Sequence, residues 1–190
     1  TAAATDAYSR FAEVAPAAFN VPSAPRFAFV GKDRKYYLGI GGTGKGTASY
    51  DLGDPITNPN MFTTSAIDMS PTPGDNGLVQ FSGQQSGLFA NFVALPGTKD
   101  QVGVYIQGNF LGEGYGFQLQ YAYAKYRGFT VGYDFGIFAD VAAAPPTIDY
   151  EGPNALTAFP NAVFDYRHAF NDRWSVGVGA ELPQASYTNS

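Results

Sequence analysis

Cysteine is absent from this 190-residue chain, so neither a disulfide framework nor a thiolate metal site can be built. A single histidine, His168, argues against a His-based metal cluster and against a conventional catalytic triad. Charge is also scarce. Charged residues make up 14% of the chain, against about 25% in soluble domains. The net charge of −5 argues against a nucleic-acid partner, which needs a clustered basic surface. No run of about 18 apolar residues occurs, which excludes a transmembrane helix but says nothing of a strand-built membrane protein. The start, Thr1 to Thr5, has neither a basic region nor an apolar segment of signal-peptide type; the expectation is a mature N-terminus left after signal cleavage.

What the chain has instead is glycine, tyrosine, phenylalanine and strict alternation. In the run from Gln101 to Phe110, Val102, Val104, Ile106 and Phe110 share one parity, and Gln101, Gly103, Tyr105, Gln107 and Asn109 share the other. Period two is the signature of a strand with one dry and one wet face. The pattern recurs downstream. A fourth strand places Phe117, Leu119, Tyr121 and Tyr123 out, with Gln118, Gln120, Ala122 and Ala124 in. The fifth places Phe129, Val131, Tyr133, Phe135 and Ile137 out. The sixth places Ala162, Phe164, Tyr166 and His168 out, with Asn161, Asp165 and Arg167 in. The seventh places Trp174, Val176, Val178, Ala180 and Leu182 out, with Arg173, Ser175, Gly177, Gly179 and Glu181 in. Upstream, strands are expected near residues 35–50 and 78–95, the second with a phase change at residues 83–87 that suggests a bulge. Residues 2–25 are rich in Ala and Pro, with a short helix expected near residues 6–14. Residues 1–30 therefore read as an N-terminal arm or linker, and residues 31–190 as the strand-rich domain.

A sheet of this kind is either a soluble sandwich or barrel with its dry face inward, or a membrane barrel with its dry face toward lipid. Two features favour the second. The turns near residues 97–100, 127–128 and 171–172 are short and lie on one side. Two of the three connections on the other side, residues 51–77 and 139–159, are long. Short turns at one rim and long loops at the other are usual in outer-membrane barrels. The inward positions also carry Gln, Asn, Asp, Arg, Lys and many glycines, which a dry core does not tolerate without partners and a water-filled lumen does. The expected fold is all-β, an antiparallel transmembrane β-barrel, with about seven strands in this chain.

Several segments are candidate sites. The run Gly41, Gly42, Thr43, Gly44, Lys45, Gly46, Thr47 is not a phosphate loop, because Gly46 separates the lysine from the hydroxyl residue and no helix follows. Loop 139–159, with Asp140, Asp149 and Glu151, follows the fifth strand on the long-loop side. In trimeric porins that loop folds into the barrel and narrows it; the alternative is an exposed external loop. Lys35, Lys45, Arg167 and Arg173 have inward parity and could set a field across the lumen; the alternative for Arg167 is a bracing pair with Asp165 or Glu181. Lys125 falls at outward parity and reads as an interface anchor, as does His168. Tyr121, Tyr123, Tyr133, Tyr166 and Trp174 read as aromatic girdle residues at the lipid headgroups.

Four stretches then carry a family likeness. They are Gly132, Tyr133, Asp134, Phe135 with Phe138, Ala139, Asp140; Thr147 through Pro153; Asp165, Tyr166, Arg167; and Asn171 through Val178 with Glu181, Leu182, Pro183. Together they resemble the DcaP-like porins of Gram-negative outer membranes, and the stretch Ile148, Asp149, Tyr150, Glu151, Gly152, Pro153 is the most specific of them. The resemblance implies a homotrimer of sixteen-stranded barrels in lipid and lipopolysaccharide, a constriction loop folded inward, and passive diffusion of small, often anionic solutes such as dicarboxylates. It also implies a periplasmic N-terminal arm. The family continues well beyond seven strands, so the chain is expected to be the N-terminal half of a longer protein. Ala142, Ala143 and Ala144 make the constriction blander than a charged filter. The expectation is a porin, not an enzyme, with no cofactor, no metal and no nucleic-acid partner. The runner-up is a structural or adhesive outer-membrane barrel with a plugged lumen and partner-binding loops, and a soluble lipocalin-like carrier stands third.

Overall fold

A computed structural model describes residues 2–16, 25, 27–51, 77–137, 139, 141, 160–171 and 173–182, with side chains from residue 6 onward. Helix α1 (Ala2–Val14) is followed by ten strands: β1 (Phe27–Val30), β2 (Tyr36–Thr43), β3 (Thr47–Asp51), β4 (Leu78–Ser82), β5 (Gly87–Ala94), β6 (Val102–Gly112), β7 (Gly116–Tyr126), β8 (Phe129–Asp134), β9 (Asn161–Ala169) and β10 (Ser175–Leu182). Eight of them form one antiparallel sheet in the order β1-β2-β5-β6-β7-β8-β9-β10. β3 and β4 pair separately as a two-stranded ribbon. They extend the β2–β5 hairpin, since Thr43 pairs with Gly87 and Thr47 with Ser82. Among the described residues β1 and β10 are paired on one side only, so the sheet is an open wall.

The two faces of this wall differ in kind. Directly opposed residues on neighbouring strands project to the same face. The outer face carries Phe27, Phe29, Leu38, Ile40, Leu88, Ile106, Phe117, Val131, Phe164, Val176 and Val178, all exposed and none covered by another element. The inner face carries Tyr37, Asn91, Tyr105, Gln107, Asn109 and Asp165, all buried. Leaving so much apolar side chain uncovered on one contiguous face is unfavourable in water and favourable in lipid. The expected dry outer face therefore holds across the sheet, whereas the inner face is polar only in part, and among the described residues no helix is long and apolar enough to cross a membrane.

Aromatic residues gather on the outer face near the rim of short turns. Tyr36 stacks with Phe92 at 6.4 Å, and Phe129 lies 4.7 Å from Tyr166 between ring centroids. Tyr126 and Trp174 are exposed at the same rim. This is the geometry of a headgroup girdle.

The structure corrects three readings. First, Tyr121 and Tyr123 face inward and are buried. The register between β6 and β7 slips between Gln107 and Gly108, so that Gly108 pairs with Leu119 while Gln107 pairs with Tyr121. Gln120 is the extra residue of a β-bulge, and one extra residue moves everything after it to the opposite face. Lys125 moves with them and points inward. Second, Phe135 and Ile137 do not extend the fifth strand on its outer face. β8 ends at Asp134, and the chain turns across the inner face. There Phe135 packs on Tyr121 at 5.8 Å, and Ile137 lies over Gly177 and Gly179. Third, residues 1–30 are not an arm apart from the sheet: α1 packs on the inner face, and β1 begins at Phe27 and pairs with β2. A four-residue strand behind proline-rich chain offers too little alternation to be seen in sequence.

Loop residues 52–76, Phe138, Asp140, residues 142–159 with Asp149 and Glu151, Asp172 and residues 183–190 lie outside the described residues.

Candidate functional site

The inner face divides into two halves. Over β2, β5, β6 and β7 it is aromatic and covered by α1. Phe11 meets Tyr37 edge-on at 6.4 Å; Phe89 stacks on Tyr105 at 6.0 Å, and Tyr105 on Tyr123 at 5.8 Å. Several polar groups in this half are tied in. Tyr105 Oη donates to Gln107 Oε1 at 2.6 Å, and Gln107 Nε2 donates to Gln120 Oε1 at 3.0 Å. The same bulge residue that reverses the strand therefore completes this network.

Over β8, β9 and β10 the inner face is polar and glycine-rich. Thr130 opposes Asp165, Asp165 opposes Gly179, and Arg167 opposes Gly177. A Cβ at Gly179 would meet the Asp165 carboxylate, and one at Gly136 would meet Glu181. Acidic and basic groups mix along this half: Asp134 lies near Lys125, Arg167 and Asp165, and Asp165 near Arg167 and Glu181.

Between the two halves, at the short-turn rim, lies an open cleft of about 410 Å³. Lys99, Lys125, Arg127 and Arg167 line it, with Glu13 as the acidic residue among its lining groups. The turn that brings Arg127 there is a two-residue hairpin with φ of 48° at Arg127 and 85° at Gly128, the left-handed pair that matches strand twist. Arg127 Nε donates to Asp100 at 3.1 Å, which ties this turn to the one before β6 and offsets part of the cleft's positive charge.

The wall also matches a solved membrane channel. Its architecture resembles the outer membrane channel DcaP of Acinetobacter baumannii, with a TM-score of 0.65 at 18% identity, over 80% of this chain and 43% of that one. The fold is DcaP-like. No protein-family model and no curated protein matches the sequence. The chain thus spans less than half the length of the channel whose wall it shares.

Within this DcaP-like wall the four described basic residues of the sequence reading part company. Arg167 lies on the inner face of β9 and lines the cleft. Lys35 precedes β2 at the short-turn rim, exposed, with its carbonyl accepting from Leu95 N at 2.8 Å. Arg173 sits in the exposed β9–β10 turn, its backbone N–H donating to Asn171 Oδ1 at 2.9 Å. Lys45 lies at the opposite rim, between β2 and β3, its N–H donating to Ser86 Oγ at 3.1 Å. Sequence reasoning missed Lys125, Lys99, Arg127 and Glu13. For Lys125 a signal was present: a lysine at apolar parity opposite alanines is a sign that the parity has slipped.

Proposed function

We propose that the chain forms part of the wall of a passive porin in a bacterial outer membrane. One observation carries this reading: an antiparallel wall with an uncovered apolar outer face and an inner face that is polar and charged over β8 to β10, shared in architecture with an outer membrane channel. Transport is diffusion through a wet lumen, and no covalent chemistry is required of any residue. We further infer that the protein is not an enzyme, assembles as a homotrimer in lipid and lipopolysaccharide, and favours small anionic solutes of the dicarboxylate kind. The cleft supports the last point, because four cations face one carboxylate among its lining groups. The inward turn of Phe135 and Ile137 supports a constriction built by loop 139–159 with Asp140, Asp149 and Glu151.

The test is conductance in planar bilayers of the protein purified at its natural length. Steady ohmic steps support the porin. A protein that inserts as a heat-modifiable barrel and never conducts would favour the structural or adhesive barrel with a filled lumen. The helix docked on the inner face is the observation that keeps that second reading in play.

A further inference from the structure

Most of the apolar residues on the inner face lie on the strands beneath α1. Tyr37, Phe89, Val93, Tyr105 and Tyr123 are buried there, whereas the inner positions of β9 and β10 are Asp165, Arg167, Ser175, Gly177, Gly179 and Glu181 beside Val163. A wet lumen gives no reason for such a patch unless something covers it. The helix does so with a fitted surface. Ala7, Phe11 and Val14 are buried on it, Phe11 completely. Its length is tied down at several points. Tyr37 Oη donates to Asp6 at 2.9 Å, Asn91 Nδ2 to the Phe11 carbonyl at 2.8 Å, and Gln101 Nε2 to Glu13 at 3.1 Å. At its C-terminal end Tyr123 Oη and Lys125 Nζ both donate to the Val14 carbonyl, at 2.7 and 3.2 Å, which places a cation where a helix dipole favours one. The strands leave room for it as well. A Cβ at Gly39 would collide with Pro25 and Phe11, and a Cβ at Gly103 with Val14. Two bare positions under one helix make a seat.

From this we propose that α1 is a plug seated in the short-turn mouth of the pore. It rests on the porin reading and adds a regulatory part to it. A helix with its side chains is about 10 Å across, so a seated α1 removes a solute-sized share of the lumen. It leaves the cleft along β7–β9 as the way past, and solutes leaving the pore are steered beside Lys125 and Arg167.

The experiment is single-channel recording on the natural-length protein in three forms: unmodified, lacking residues 2–14, and carrying Gly39→Leu, which unseats the helix without shortening the chain. Both changes are expected to raise conductance by roughly two-fold, the scale set by the helix cross-section. A fourth form, Val14→Cys with Gly103→Cys, checks the seat. These 190 residues hold no other cysteine, any cysteine elsewhere in the natural-length protein is replaced by serine, and a Cβ at position 103 would lie 3.2 Å from that of residue 14, a few tenths of an ångström short of the usual span of a disulfide. Oxidation should cross-link it fully and abolish any excursions to the higher level, and reduction should restore them. Failure of the cross-link to form would overturn the proposal, as would unchanged conductance in both unseated forms with the cross-link complete. Silence in all four forms, with barrels inserted, would instead remove the porin reading and the plug with it.

Discussion

Tyr123 and Lys125 converge on one carbonyl, that of Val14, and each is there only because Gln120 shifts the strand beneath them. Removing one donor leaves the other, so the carbonyl is not orphaned, and the loss is one ordinary hydrogen bond, about 1 kcal/mol. Tyr123→Phe keeps the ring that stacks on Tyr105 and deletes only the hydroxyl. Amide exchange of the last turn of α1 should accelerate by about five-fold in this variant while the strands keep their protection. An unchanged exchange rate would mean that Lys125 alone holds the helix end. Few of these partners were legible beforehand. Arg167 was found because β9 alternates without interruption. Strict alternation puts Lys125 on the outer face because it reads through the bulge at Gln120, and it gives Glu13 no role because it cannot show which segment lies across a face.

Outside the bulge in β7, the strands from β5 to β10 follow the alternation closely, since the turns between β5 and β6, β7 and β8, and β9 and β10 are short and leave little freedom of register. The errors cluster where one residue is added or where a partner lies far along the chain. A bulge leaves a small trace in sequence, here two polar residues, Gln118 and Gln120, ahead of a tyrosine pair, and strict period two reads through it. The apolar residues Phe89 and Val93 at wet positions of β5 were a clue to the seat of α1, but their partner, Phe11, is about eighty residues away. Deleting Gln120 makes the bulge argument testable. Without it Tyr121, Tyr123 and Lys125 turn toward lipid, the Gln107 network loses its partner, and α1 loses its anchor. Assembly of the heat-modifiable barrel should fail, whereas Gln120→Ala, which keeps the count, should assemble. On the outer face, Val178 is 70% exposed in mid-strand on β10. Val178→Arg should cost about 2–4 kcal/mol of refolding stability in lipid, and Gly177→Ser, one residue away on the inner face, far less. Equal costs would mean that the apolar face does not meet lipid.

In the proposed pore the placement of charges decides more than any one group. The inner face mixes signs: Lys125, Arg167 and Lys99 against Asp134, Asp165, Glu181 and Glu13. Arg127 is already engaged by Asp100. At the short-turn mouth Lys99, Lys125 and Arg167 face Glu13 alone among the lining groups, so a modest preference for anions is expected there, opposed by the acids deeper along β8 to β10. Such a field reaches about 10 Å at 0.1 M salt and about 3 Å at 1 M, so selectivity should be clear in dilute potassium chloride and nearly vanish in concentrated salt. Arg167→Glu replaces a positive charge in the mouth by a negative one, and the reversal potential across a salt gradient should cross to the cation-selective sign. Asp134→Asn should move it the other way, toward stronger anion preference. If both variants shift the potential in the same direction, the strip does not face the permeation path. If neither shifts it, ions are selected elsewhere, at the constriction of loop 139–159 or in the rest of the barrel, and the cations of this wall serve only to hold α1 in place.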